Sequence, residues 1–197
     1  MNQIIKNTII LFVITLVAGI CLGTVHDITL DPIAQAQEAA ATKTYQEVYP
    51  DAASFDEPQE LADAVTAAAD SISEWGFGKV TINDAKEALD ASGNQIGYLI
   101  TSTSAESYGG NVQIAVGITN EGGFLSISDT PGLGMRAKEP DFKDQFIGKK
   151  AENLEVTKTG ASADNQIEAI SGATITSKAV TNATDAAIYF VANCLAQ

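Results

Sequence analysis

Gln95-Ile-Gly-Tyr-Leu-Ile-Thr-Ser-Thr-Ser104 is the stretch whose reading decides the fold. Its β-branched and aromatic side chains suit a pleated, packed surface and read as a strand. Tyr108-Gly109-Gly110 then turns the chain, and Val112-Gln-Ile-Ala-Val-Gly-Ile118 follows with apolar residues at alternate positions. Asn120-Glu-Gly-Gly123 is a second turn signal and leads into Phe124-Leu-Ser-Ile-Ser128. Short strands joined by tight turns predict an antiparallel meander.

Upstream, Asp90-Ala-Ser-Gly93-Asn94 is a turn signal, so residues 79–89, ambiguous by periodicity, are read as a strand that enters the meander. Residues 51–72 are acidic and Ala-rich, with a short helix expected over 60–69 after Pro58. Downstream, the loop Asp129-Thr-Pro-Gly-Leu-Gly134 precedes a short helix over 141–146 and two strand candidates, 154–159 and 166–170. From Ser177 onward, Val180, Ala183, Ala187, Phe190, Val191 and Cys194 keep i, i+3, i+4, i+7 spacing. That pattern predicts an amphipathic helix laying one stripe on the sheet. The class is α+β, with helices packed on an antiparallel sheet.

The N-terminal segment is of another kind. Thr8 to Val25 carries no charge, and about 18 residues of helix span roughly 27 Å, close to the ~30 Å hydrocarbon core of a bilayer. A transmembrane helix over 8–27 is expected, after a short cytoplasmic N-terminus, 1–7. Lys6 lies before it and Asp27 and Asp31 after it, which favours an N-terminus inside and a domain outside. The competing reading is a cleaved signal peptide ending at Ala34-Gln35-Ala36. That site lies about ten residues past an apolar run already long for a signal peptide, so retention as an anchor is expected. Asp31-Pro32 fits an N-cap followed by Pro at the first helical position, starting a membrane-proximal helical stalk over 28–50. Residues 51–197 form the folded domain.

The chain of 197 residues has net charge −14, from 11 basic and 25 acidic side chains. Nucleic acid is excluded as a partner, because a phosphate-backbone binder needs a basic face. The single histidine, His26, lies at the membrane boundary. The domain therefore lacks the base of a Ser-His-Asp or Cys-His hydrolase, and zinc sites of Cys/His type fail likewise. No metal site and no catalytic residue of its own is expected. Gly148-Lys149-Lys150 lacks the rest of a phosphate-binding P-loop. Gly132-Leu-Gly134-Met-Arg-Ala137 matches a dinucleotide fingerprint by letter, but it follows Thr-Pro rather than a strand. Cys21 and Cys194 read as small hydrophobes.

Ile170-Ser171-Gly172-Ala173-Thr174-Ile175-Thr176-Ser177 sets small and hydroxyl residues between a strand and the terminal helix. Two readings stand. Ser171, Thr174, Thr176 or Ser177 caps the helix and does nothing more. Alternatively, free N–H groups and the helix dipole hold an anion, with Gly172 and Ala173 allowing close approach and Lys178 nearby.

Glu168-Ala-Ile-Ser-Gly-Ala-Thr174, followed by Ile-Thr-Ser177, resembles the flavinylation motif of FMN-binding domains. These occur in the G subunit of the Rnf ion-translocating electron-transport complex and the C subunit of the sodium-pumping NADH:quinone reductase. Tyr108-Gly-Gly110 and Asp129-Thr-Pro-Gly-Leu-Gly134 resemble that family's Y-G-G segment and E-T-P-G-L-G loop. Two acids are exchanged: the family's motif opens with Asp where this chain has Glu168, and its loop with Glu where this chain has Asp129. The likeness runs over nearly the whole chain, weakest over 51–79, and the length is closer to the Rnf subunit.

The resemblance implies FMN joined through its phosphate to the Thr174 hydroxyl, a phosphoester installed by a separate flavin transferase. Ser171, Gly172, Ala173, Thr176 and Ser177 would surround the phosphate. Leu133 and the backbone of Gly132 and Gly134 would lie against one face of the isoalloxazine ring, and Thr130 would hydrogen-bond a ring edge or a ribityl hydroxyl. The implied function is electron relay within a membrane-bound ferredoxin:NAD oxidoreductase complex that moves Na⁺ or H⁺, with other Rnf membrane subunits and the lipid bilayer as partners. The chain would be a redox subunit of a translocase, not an independent catalyst. Two alternatives remain from other classes: an extracytoplasmic module holding FMN or another phosphate ligand non-covalently, and a structural adapter without cofactor.

Overall fold

A computed structural model describes residues 3–120, 124–127, 137, 139–149 and 153–195. The chain divides into two compact units, residues 1–43 and 44–197.

The first unit lies within one long helix, α1 (Gln3–Val48). Its backbone is helical straight through Pro32, so the expected fresh helix start at Asp31-Pro32 is not found. A proline within a helix removes one backbone donor, and here the flanking turns continue regardless. From Gln3 to His26 the helix is long and apolar enough to cross a bilayer. Large apolar side chains such as Ile4, Phe12 and Leu22 are exposed all along it. The hydroxyls of Thr8, Thr15 and Thr24 donate to the carbonyls of Ile4, Leu11 and Ile20 at 2.9–3.0 Å. These hydroxyls are thus satisfied inside the helix, as hydrocarbon surroundings demand.

The second unit is built on a five-stranded sheet in chain order. β1 (Ser54–Asp56), β2 (Val80–Leu89), β3 (Gln95–Ser107), β4 (Gly110–Thr119) and β5 (Phe124–Ile127) pair antiparallel with their neighbours. The predicted meander is present, with 79–89 as its entering strand, and longer by one strand, β1. Between β1 and β2 lies α2 (Gln59–Ser71). After the sheet come a short helix, α3 (Pro140–Lys143), and a two-stranded parallel pair, β6 (Glu155–Thr157) with β7 (Gln166–Glu168). The chain then enters α4 (Thr174–Phe190).

Both faces of the sheet are covered at its centre. On one face Ile100, Ile114, Val116 and Ile118 join the main core with α2 and α4. On the other, Leu99 and Ala115 meet Val48 and Tyr45 from the last turn of α1. The Tyr49 hydroxyl donates to the Ile96 carbonyl at 2.8 Å. Gly97 lies beneath it, where a Cβ would collide with the Ile118 carbonyl oxygen and with the Tyr49 ring.

The terminal helix departs from the expected pattern in two respects. It starts at Thr174, a turn earlier than Ser177. It is also buried on nearly every side rather than along one stripe, because Ser177, Thr181, Thr184 and Asp185 are inside with the apolar residues. Each makes at least one hydrogen bond inside the fold. Thr181 and Thr184 donate to the Ser177 and Val180 carbonyls at 2.9 and 3.0 Å, and Asp185 accepts the Leu154 N–H at 2.6 Å. Ala179, Ala183, Ala186 and Ala187 keep the helix slim, and Ser102 of β3 donates to the Ala183 carbonyl at 2.9 Å.

Candidate functional site

Residues 169–173 carry the chain from β7 into α4. The Ala173 N–H donates to the Ile170 carbonyl at 2.9 Å, closing a tight turn over Ser171 and Gly172. Gly172 takes φ +79° there, with nothing within 4 Å of the place a Cβ would occupy. A side chain at that φ is strained, and glycine leaves the space above the turn open. The N-cap residue is Ala173, at φ −130° and ψ 36°, and no side chain caps the helix. The simple capping reading of the Ser and Thr cluster is therefore not what the structure shows.

The Ser177 N–H makes the first helical bond, to the Ala173 carbonyl at 2.9 Å. The N–H groups of Thr174, Ile175 and Thr176 precede it and have no acceptor within the helix. Ser177 itself is fully buried. Its hydroxyl accepts the Ile170 N–H and donates to the Ala173 carbonyl, both at 3.0 Å. Ser177 thus lies under the turn and holds it, rather than facing outward.

A cleft of about 360 Å³ opens over this helix start, lined by Tyr108, Gly172, Ala173, Thr174, Ile175 and Thr176. Such a volume lies within the ~300–1,000 Å³ range of cofactor sites. Thr174 and Thr176 are half-buried in its wall, and Lys178 is exposed. The structure brings together Gly172, Ala173, Thr174 and Thr176 of the expected residues. Ser171 instead lines a separate cleft of about 320 Å³ with Glu139, Asp141, Gln145 and Glu168. Carboxylates in that lining suit a phosphate poorly. Gln145 fastens its floor by accepting the Glu168 N–H at 2.6 Å and donating to the Asp141 carbonyl at 3.0 Å. Thr130, Gly132, Leu133 and Gly134 lie outside the described residues.

Two lining residues have no place among the expected contacts. Tyr108 belongs to the Tyr-Gly-Gly turn without an assigned role, and Ile175 reads in the motif only as the apolar residue between two threonines. Their signal is present in the sequence: large apolar side chains at a hairpin turn and in the first turn of a helix, with no pattern that buries them.

Residues 107–189 match the family model of the FMN-binding domain, and residues 1–48 match the RnfG N-terminal region. In Acetobacterium woodii, the G subunit of the Na⁺-translocating ferredoxin:NAD⁺ oxidoreductase complex is 34 % identical over 96 % of this chain and 92 % of its own. The chain belongs to the RnfG family. In Clostridium ljungdahlii, the G subunit of the proton-translocating ferredoxin:NAD⁺ oxidoreductase complex is 30 % identical over 95 % of this chain and 91 % of its own. The G subunit of the ion-translocating oxidoreductase complex of Methanosarcina acetivorans is 30 % identical over 96 % and 95 %. A crystal structure of Shewanella oneidensis NqrC matches with a TM-score of 0.42 at 15 % identity, covering 73 % of this chain and 67 % of that one. In this RnfG chain the matched FMN-binding domain includes every residue of the Thr174 cleft.

The residues present fit FMN in kind. N–H groups at a helix start suit its phosphate. Gly172 leaves room for close approach, and Tyr108 and Ile175 add apolar lining for a planar ring.

Proposed function

We propose that this RnfG chain is the FMN-carrying electron-transfer subunit of a membrane-bound, ion-translocating ferredoxin:NAD oxidoreductase complex. FMN is attached by a phosphoester to the Thr174 hydroxyl. The observation that carries the reading is the position of Thr174. It is the first residue of a helix without a side-chain cap, in a cleft whose lining falls inside the matched FMN-binding domain.

FMN, when bound, supplies reversible one- and two-electron transfer, which no side chain of the domain provides. The protein's share is placement. The N–H groups of Thr174, Ile175 and Thr176, with the helix dipole, would hold the phosphate oxygens. In a chain of net charge −14 such a local arrangement offsets the general repulsion of a phosphate. Ser177 keeps the turn in shape from below. Thr130, Gly132, Leu133 and Gly134 would contact the ring, and Gly172 and Ala173 would border the phosphate, while Ser171 faces the neighbouring cleft. Gln3–His26 anchors the chain in the bilayer, with residues 1–7 cytoplasmic, a span over 8–27, a stalk over 28–50 and the domain over 51–197 facing outward. A tether suits a carrier on that side, where lost FMN is not readily replaced. A flavin transferase and the other Rnf subunits are the implied partners. One of the relatives is named for Na⁺ and another for protons, so the coupling ion is left open.

The test is the intact mass of the full-length chain matured in its own membranes, beside Thr174→Val. The wild type should gain one FMN less one water, mapped to the peptide containing Thr174, and the variant should gain nothing. An unmodified wild-type chain, or flavin released by acid, overturns the covalent reading. A tag that persists in Thr174→Val moves the ester, with Thr176 the next hydroxyl.

A further inference from the structure

Tyr108 is 86 % exposed, although tyrosine carries a large apolar ring. It occupies the tip of the β3–β4 hairpin, whose two-residue loop is Tyr108-Gly109 between the paired Ser107 and Gly110. Gly110, at φ +131°, serves the backbone reversal. Tyr108 belongs to none of the core clusters among the described residues. Between Ser104 and Ser107 the pairing with β4 slips, and bulges of this kind re-aim the end of a strand pair. The re-aimed tip lines the same cleft as Thr174. Ile175, 53 % exposed and next to Thr174, lines it too.

A two-residue hairpin loop tolerates small polar residues well, and folding gains nothing from an aromatic ring left in water. A ligand with a phosphate at one end and a flat apolar ring system at the other supplies the missing contact. Resting on the reading given under Proposed function, we infer that Tyr108 is a positioning residue. Its phenol ring stacks on the isoalloxazine of the FMN held at Thr174, and Ile175 extends the apolar wall. Offset stacking of this kind fixes ring orientation, excludes water from the covered face and quenches flavin emission.

The experiment uses full-length protein matured with FMN in membranes: wild type, Tyr108→Ala and Tyr108→Trp. Intact mass gives the FMN carried per chain. Native emission is then expressed per attached FMN, with denatured emission as reference. Tyr108→Ala should emit several-fold more per FMN than wild type, and Tyr108→Trp should stay quenched, since indole restores the stack. A role confined to the hairpin would move the melting temperature and leave emission per FMN unchanged. Equal emission from Tyr108→Ala and wild type overturns the inference while the flavin reading stands. A wild-type chain without FMN on Thr174 overturns both, and the mass measurement tells the two failures apart.

Discussion

The buried Ser177 hydroxyl accepts the Ile170 N–H at 3.0 Å and donates to the Ala173 carbonyl at 3.0 Å. One oxygen therefore ties the end of the β7 segment to the start of α4 and fixes the turn on which Thr174 sits. Removing it leaves a buried N–H without its acceptor. Ser177→Ala should cost about 1–3 kcal/mol of stability, read as a lowered urea midpoint. Flavin attachment should fall as well, because the turn relaxes. A variant as stable and as fully flavinylated as wild type would show that the turn holds itself.

Gly97 offers a test of the opposite face of the sheet. A methyl group there meets the Ile118 carbonyl oxygen and Tyr49, and the carbonyl belongs to the β3–β4 ladder and cannot swing away. Gly97→Ala should destabilise by about 1–3 kcal/mol, as overpacking does. Tyr49→Phe, which loses the hydrogen bond to Ile96, should cost about 0.5–1.5 kcal/mol. Thermal melts of the two variants should rank in that order or close to equal. An unchanged Gly97→Ala melt would contradict the close approach.

Alkaline pH should loosen the same face. Burial, and then the nearby Asp84 carboxylate, hold the Tyr45 phenol above its ordinary value of 10.0. Burial and then Asp51 do the same for Tyr49. Burial opposes the charged form of Lys86, but Glu57 at 2.6 Å and Asp84 at 3.2 Å outweigh it and raise that group too. In each case the folded chain holds its proton more tightly than the unfolded one. Their contribution is present in full below about pH 10 and drains away as pH rises through the folded values. Stability measured by urea should therefore fall above pH 10, and Tyr45→Phe should flatten the fall. Equal slopes in the two proteins would remove Tyr45 from the account.

The sheet was legible because its strands announce themselves locally. Residues 95–104 and 112–118 are β-branched, alternate where they should, and end in Gly turns. β1 was not legible, since Ser54-Phe-Asp56 is too short to show a period and exists by pairing with residues 87–89. The width of the buried surface of α4 was also hidden. Hydroxyls that bond to their own helix count as polar in a sequence but travel inside with the alanines. Thr174, Gly172 and Ala173 could be picked from the motif. That Ser171 turns to a different cleft, and Ser177 inward, depends on the single turn at Gly172, whose geometry no residue type prescribes. Tyr108 lines the cleft just past a register slip between Ser104 and Ser107, which strand patterns do not reveal.

Because α4 is enclosed from Ser177 onward, anything fastened to its first residue hangs from a stiff post. Charge arriving on such a group must be accommodated by the group and by solvent at the cleft mouth, with little rearrangement of the scaffold. A stiff support keeps the protein's own share of the reorganisation energy small, and here that share would be set by alanines and inward hydroxyls far along the helix from Thr174.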